Sequence, residues 1–128
     1  MKLLLDTCTF LWMVSEPTKL SPPAAAALVD PANDLFLSAV SSWEIAVKCE
    51  LGKLQLDRAP DRYVPEERTR HAVAPIALDE EATLHLNRLP NVHRDPFDRM
   101  LVCQAIALGM GLVTPDPNIA RYPIRVLW

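Results

Sequence analysis

Apolar positions along this chain switch between unbroken short runs and helical spacing. Lys2-Leu3-Leu4-Leu5 is a short apolar stretch that stops at Asp6-Thr7, the signature of a strand buried on both faces, as in a parallel sheet. Thr9 to Val14 then reads as helix, with Phe10, Leu11 and Val14 on one side and Ser15-Glu16-Pro17 as its stop. Ser21-Pro22 is a cap followed by a first-turn proline and opens a helix through Ala24 to Val29. Leu35 to Ala39 is the next strand. It runs into Ser41-Ser42-Trp43-Glu44, a capping box in form, with a helix through Ile45, Ala46, Val47 and Leu51 that Gly52 ends.

Pro60 introduces a charged helix from about Asp61 to Arg70. Val73 to Leu78 is extended but interrupted by Pro75, which puts it near a sheet edge. Asp79 opens a helix through Leu84, Leu86 and Leu89, and Pro90-Asn91-Val92-His93 is a loop. In Arg94-Asp95-Pro96-Phe97-Asp98-Arg99-Met100-Leu101, Asp95 fits an N-cap and Pro96 the first helical position. Phe97, Met100, Leu101, Ala105 and Leu108 recur at helical spacing up to Gly109 and Gly111. Leu112-Val113-Thr114 is a brief strand stopped by Pro115-Asp116-Pro117, and Ile124 to Trp128 is a final strand. Strands alternating with helices predict an α/β fold with a mostly parallel sheet. Right-handed crossovers then bring all strand C-termini to one edge, where such sheets bind ligands.

Composition narrows the function classes. A chain of 128 residues fits one domain with a sizeable core. No run approaches the roughly 18 apolar residues of a membrane span, and Asp6 ends the first run too early for a signal peptide, so the expected location is cytoplasmic. Cys8, Cys49 and Cys103 match neither a disulfide framework nor a zinc spacing and read as reduced, buried small hydrophobes. The formal net charge of −3 is unlike that of a nucleic-acid binder, which is usually basic. Either the chain does not touch nucleic acid, or cations neutralise a local cluster of its acids.

Four acids are candidates for that cluster. Asp6 ends the first strand and Glu44 lies in the first turn of the helix after the second. Asp98 is in the first turn of its helix, and Asp116 follows the fourth strand. Each has a plain structural role as well: turn residue, half of a capping box, partner of Asp95, or cap of a helix at Pro117. Together they raise a different issue, because close unprotonated carboxylates repel by kilocalories at intermediate dielectric. Such a group holds protons or cations. Carboxylates with retained waters suit Mg²⁺, and two ions about 4 Å apart clamp the oxygens of a phosphoryl displacement.

The text around these acids resembles a known family. Leu4-Leu5-Asp6-Thr7, Ser38-Ala39-Val40-Ser41-Ser42-Trp43-Glu44-Ile45, Arg94 to Leu101 and Leu112-Val113-Thr114-Pro115-Asp116 are similar, in order and spacing, to successive blocks of PIN domains. More narrowly they resemble the VapC-type toxins of toxin–antitoxin pairs, down to the closing Ile124-Arg125-Val126-Leu127-Trp128. The resemblance implies one PIN-like domain over residues 1–128, with three layers and a central, mostly parallel sheet flanked by helices. It implies an endoribonuclease dependent on Mg²⁺, with Mn²⁺ able to substitute. Asp6, Glu44, Asp98 and Asp116 would be its catalytic and metal-binding acids, and Thr7, Asp95, Arg99 and Thr114 a supporting set. Within that set Asp95 is read first as a cap. Thr7 and Thr114 would bond metal waters or ligating carboxylates, or make local turn bonds.

Hydrolysis would leave 5′-phosphate and 3′-hydroxyl ends, with Asp6, Asp98 and Asp116 holding Mg²⁺ and Glu44 positioning a metal water or a second ion. The implied partners are an RNA substrate, a VapB-like antitoxin blocking the acidic edge and a second copy of the chain. A non-catalytic PIN-fold module acting only through its partner is the alternative. Two positions depart from the family pattern: Cys8 stands where relatives often carry His, and Pro115 where a small or basic residue is usual. A haloacid dehalogenase-type phosphatase would need a second Asp where Cys8 stands. A phospho-receiver domain would need a phosphoacceptor strand end and a downstream Lys that do not follow.

Other side chains read more simply. Lys48 suits an i,i+4 pair with Glu44, and Arg99 a solvated or structural ion pair, against contacts to RNA phosphates. His93 reads as a solvated loop residue rather than a proton shuttle, and Trp12, Trp43 and Trp128 as core or subunit interface rather than base-stacking platforms.

Overall fold

A computed structural model describes residues 1–128. In chain order the elements are β1 (Lys2–Leu5), α1 (Thr7–Ser15), α2 (Pro22–Val29), β2 (Asp34–Ser38), α3 (Ala39–Glu50), α4 (Pro60–Arg70), β3 (Val73–Ile76), α5 (Glu80–Leu84), α6 (Pro96–Leu108), β4 (Gly111–Val113) and β5 (Val126–Leu127). Single 3₁₀ turns follow α1, α5 and β4. The sheet order is β3-β2-β1-β4-β5, and every neighbouring pair is parallel. Helices on both faces make the α/β three-layer architecture expected from the alternation of elements.

β1 sits at the centre because both of its faces are apolar. Leu3 and Leu5 enter a core with Phe10, Ala24, Leu37, Ile45 and Val64. Leu4 points the other way, onto Leu101, Val102, Leu112, Ile119 and Tyr122. One short run thus supplies the middle of two cores, as the two-residue strand period dictates. β3 is at the sheet edge, where Pro75 lacks an N–H for the ladder anyway.

Three boundaries differ from the expected ones in ways that matter. α1 begins at Thr7, because Asp6 is its N-cap and accepts from the Thr9 backbone N–H at 2.8 Å. β2 ends and α3 begins without a linker: Ser38 caps α3 by accepting from the Val40 N–H at 3.0 Å. Ser41-Ser42-Trp43-Glu44 is therefore not a capping box. Ser41 is inside the helix, and Glu44 lies in its second turn rather than its first. The last strand is shorter than expected, Val126–Leu127.

α6 matches its expected signals. Asp95 accepts from the Phe97 and Asp98 N–H groups, Pro96 is the first helical residue, and Gly109 closes the helix in the left-handed region at φ +65°. Gln104, fully buried, bonds to Ser38 and donates to the Ala77 carbonyl at 3.2 Å. That ties α6 to the C-terminal ends of β2 and β3, so the first turn of α6 stands at the edge formed by the strand C-termini.

Candidate active site

Of the four predicted acids, Asp98 and Asp116 come together at that edge with His93, while Asp6 and Glu44 stay outside that close group and act on Asp98 through their charge. Asp6 is buried between β1 and β4, and its backbone N–H donates to the Val113 carbonyl at 3.1 Å. Its Oδ1 caps α1, and its Oδ2 accepts from the buried Thr114 hydroxyl at 2.5 Å. The Cys8 thiol lies 3.4 Å from both Asp6 oxygens. Burial raises the Asp6 carboxyl above its ordinary value, opposed by bonds from Thr114, Thr9 and Cys8. Burial, the Asp6 charge and the bond to Asp6 push the Cys8 thiol up, so it stays protonated.

Glu44 reaches the same edge from α3. It is 5% exposed, accepts from the Thr7 hydroxyl at 2.6 Å and pairs with Lys48 one turn on. Lys48 is raised above its usual value, first by this bond and further by the charges of Glu44, Asp95 and Asp98, while burial opposes. Thr7 and Thr114 thus hold carboxylates far away in sequence. Thr114 also makes a local turn bond, accepting from the Asp116 N–H at 3.2 Å.

Asp98 and Asp116 face each other across His93. Their ligand atoms and His93 Nε2 all lie within 4.8 Å of one another. The Asp98 carboxyl is pushed up from 3.8 to about 7, first by burial, then by the charges of Asp95, Asp6 and Glu44, while His93 lowers it. Asp98 therefore feels acids from its own helix cap, from the end of β1 and from α3. Burial accounts for the largest part of that shift and neighbouring carboxylates add to it, and these oxygen-rich surroundings fit a hard divalent cation. Asp95 keeps to its cap role.

Residues 3–124 match the PIN domain family. Ribonuclease VapC22 of Mycobacterium tuberculosis is 30% identical over 120 residues, covering 93% of this chain and 90% of that protein. The chain is a PIN domain of the VapC type. Ribonuclease VapC16 of the same organism is 38% identical over 60 residues, 47% of this chain, and the chain spans only 43% of that relative's length. Among solved structures, a chain of VapBC2 from Rickettsia felis, bound to a DNA fragment from its promoter, has the same fold. The TM-score is 0.72 at 15% identity, with 98% of this chain and 97% of that chain covered.

Several readings of individual side chains change in this PIN domain. His93 is not a solvated loop residue: its side chain is 16% exposed, and Nε2 lies 2.8 Å from Asp116 Oδ2 and 3.1 Å from Asp98 Oδ2. Its position, two residues before a cap and five before Asp98, was the available sequence signal. Arg99 makes no ion pair, and its Nε is buried without a partner. Trp43 is no core residue. It is 66% exposed beside an apolar hollow that Leu78, Phe97 and Met100 help to line. Trp12 and Trp128 pack against each other with centroids 5.9 Å apart and their planes tilted by 56°. All three cysteines are free, but only Cys103 is buried; Cys8 and Cys49 are half-buried. No helix is long and apolar enough to cross a membrane.

Proposed function

We propose that this PIN domain is a divalent-cation-dependent endoribonuclease, the toxin of a VapBC-type pair, and that Asp6, Glu44, Asp98 and Asp116 are its catalytic, metal-binding acids. The observation that carries this reading is the approach of Asp98 and Asp116 to each other at His93, within reach of the charges of Asp6 and Glu44. Asp98 and Asp116, each partly exposed, would hold Mg²⁺ or Mn²⁺, with the buried Asp6 adding its charge. A bound cation of this kind supplies positive charge to a phosphodiester and acidifies a coordinated water.

The remaining work falls to the chain. Thr114 and Thr9 fix the Asp6 carboxylate in one orientation, and Thr7 and Lys48 do the same for Glu44. Such preorganisation avoids reorganisation when charge develops on the phosphate. Glu44, buried and aimed by two partners, is suited to orient an attacking water. The α6 N-terminus points its positive dipole end at the same edge, where Asp95 and Asp98 answer it.

The likeness to a chain of the solved VapBC2 assembly supports a VapB-like antitoxin as partner. The apolar hollow beside Trp43, adjoining the acidic edge, supports a protein contact there, by that antitoxin or by a second copy in a homodimer. We place its action in the cytoplasm, on RNA.

The test is cleavage of RNA by purified protein in Mg²⁺, Mn²⁺ or EDTA, with sequencing of the ends. The parent should cut in either ion, leave 5′-phosphates and 3′-hydroxyls, and stop in EDTA. Asp98→Asn should not cut while keeping its fold. Cleavage by Asp98→Asn at the parent's rate would remove the assignment.

A further inference from the structure

The gap between Asp98 and Asp116 already contains a hydrogen-bond donor. His93 Nε2 is 3.1 Å from Asp98 Oδ2 and 2.8 Å from Asp116 Oδ2. On the other side of the ring, Nδ1 accepts the backbone N–H of Asp95 at 3.2 Å. A neutral imidazole has one N–H, and the nitrogen that accepts is not the one that carries it. The proton is therefore on Nε2, between the two carboxylates.

Distance alone would also suit a metal ligand. Atoms about 2.0–2.1 Å from an octahedral ion lie about 3 Å apart along an edge. The tautomer argues the other way. A ligating histidine faces the ion with a bare nitrogen and donates its other N–H to a carboxylate, carbonyl or water. Here the outer nitrogen meets a donor, the Asp95 amide, where a ligating ring needs an acceptor. That amide belongs to the residue capping α6, so it is held by the helix itself.

We propose that His93 is a positioning residue whose Nε2–H holds Asp98 and Asp116 together in the ion-free protein, and that it would have to leave for these two carboxylates to hold a cation. The inference rests on the cation-dependent reading above. His93 keeps two carboxylates together that would otherwise repel each other, so the cation site survives without its ion. It also competes with the ion for the same oxygens. Its place on the loop before α6, with the side chain at the rim, gives the ring solvent to swing into.

The test is Mn²⁺ binding by calorimetry, with pulsed electron paramagnetic resonance on the Mn²⁺-loaded parent. Replacing His93 by Ala should tighten Mn²⁺ binding about tenfold, the size of one lost charge-assisted hydrogen bond. A merely structural role predicts weaker binding or no change. The parent's Mn²⁺ spectrum should carry no histidine nitrogen coupling, a readout that needs no variant. Weaker or unchanged binding in His93→Ala, or a nitrogen coupling in the parent, overturns the inference. Absence of Mn²⁺ binding in both proteins overturns it together with the proposed function. If Mn²⁺ binds as expected but RNA is not cut, the nuclease reading fails alone.

Discussion

Asp98 is the residue on which electrostatics and proposed chemistry meet. Its carboxyl stands at about 7 in the folded chain against 3.8 for an ordinary aspartate, chiefly because it is buried. Between those values the folded state holds a proton that the unfolded state releases. The stability this contributes is complete below about pH 4 and is lost as pH rises through about 7. Ion-free protein should therefore weaken across that window. Asp98→Asn removes the titration, and in EDTA at pH 8 it should be more stable than the parent by on the order of 1–2 kcal/mol. Urea midpoints at pH 5 and pH 8 check this; an equal pH slope in both proteins would refute it. Thr114 acts differently, through the carboxylate it holds. Thr114→Val leaves the buried Asp6 Oδ2 without its hydroxyl donor, so it should cost about 1.5–3 kcal/mol in thermal or urea unfolding. In cleavage assays it should also lower RNA turnover more than it changes substrate binding.

At the level of elements, the caps decide where the acids stand. Ser38 stops β2 and starts α3 in one residue, and its hydroxyl also meets the buried Gln104. Ser38→Ala should cost about 1–3 kcal/mol, combining a lost cap with an unsatisfied buried amide. Gly109 ends α6 at φ +65°, and a Cβ there would meet nothing within 4 Å. Gly109→Ala should therefore cost only the backbone strain, about 1–2 kcal/mol, with no loss of site geometry. Chemical denaturation reads both costs, and RNA cleavage separates the variants: Ser38→Ala should disturb it, and Gly109→Ala should not.

For the whole molecule, the acidic edge is a stability cost that a cation would relieve. Saturating Mn²⁺, at about 100 times its Kd, should add about 2.7 kcal/mol. Asp98→Asn should lose most of that increment, so the order of stability of parent and variant should reverse between EDTA and Mn²⁺. Thermal unfolding in both conditions reads this directly. A cation-independent order would count against metal binding at this edge.

Much of this was legible in the chain alone. The run Leu3-Leu4-Leu5, flanked by charge, determined a central strand, because a two-residue period with apolar side chains on both faces leaves no exposed option. Asp95-Pro96 and Gly109 determined both ends of α6, because cap chemistry is local. The family blocks pointed to the four acids. Tertiary structure alone decided that Thr7 serves Glu44 and Thr114 serves Asp6, across 37 and 108 residues of chain. It also decided that α3 begins at Ala39 and that His93 stands between Asp98 and Asp116. Local signals are written in consecutive residues. Which carboxylate a hydroxyl or an imidazole reaches depends on how the crossovers bring strand ends together, and no spacing along the chain carries that.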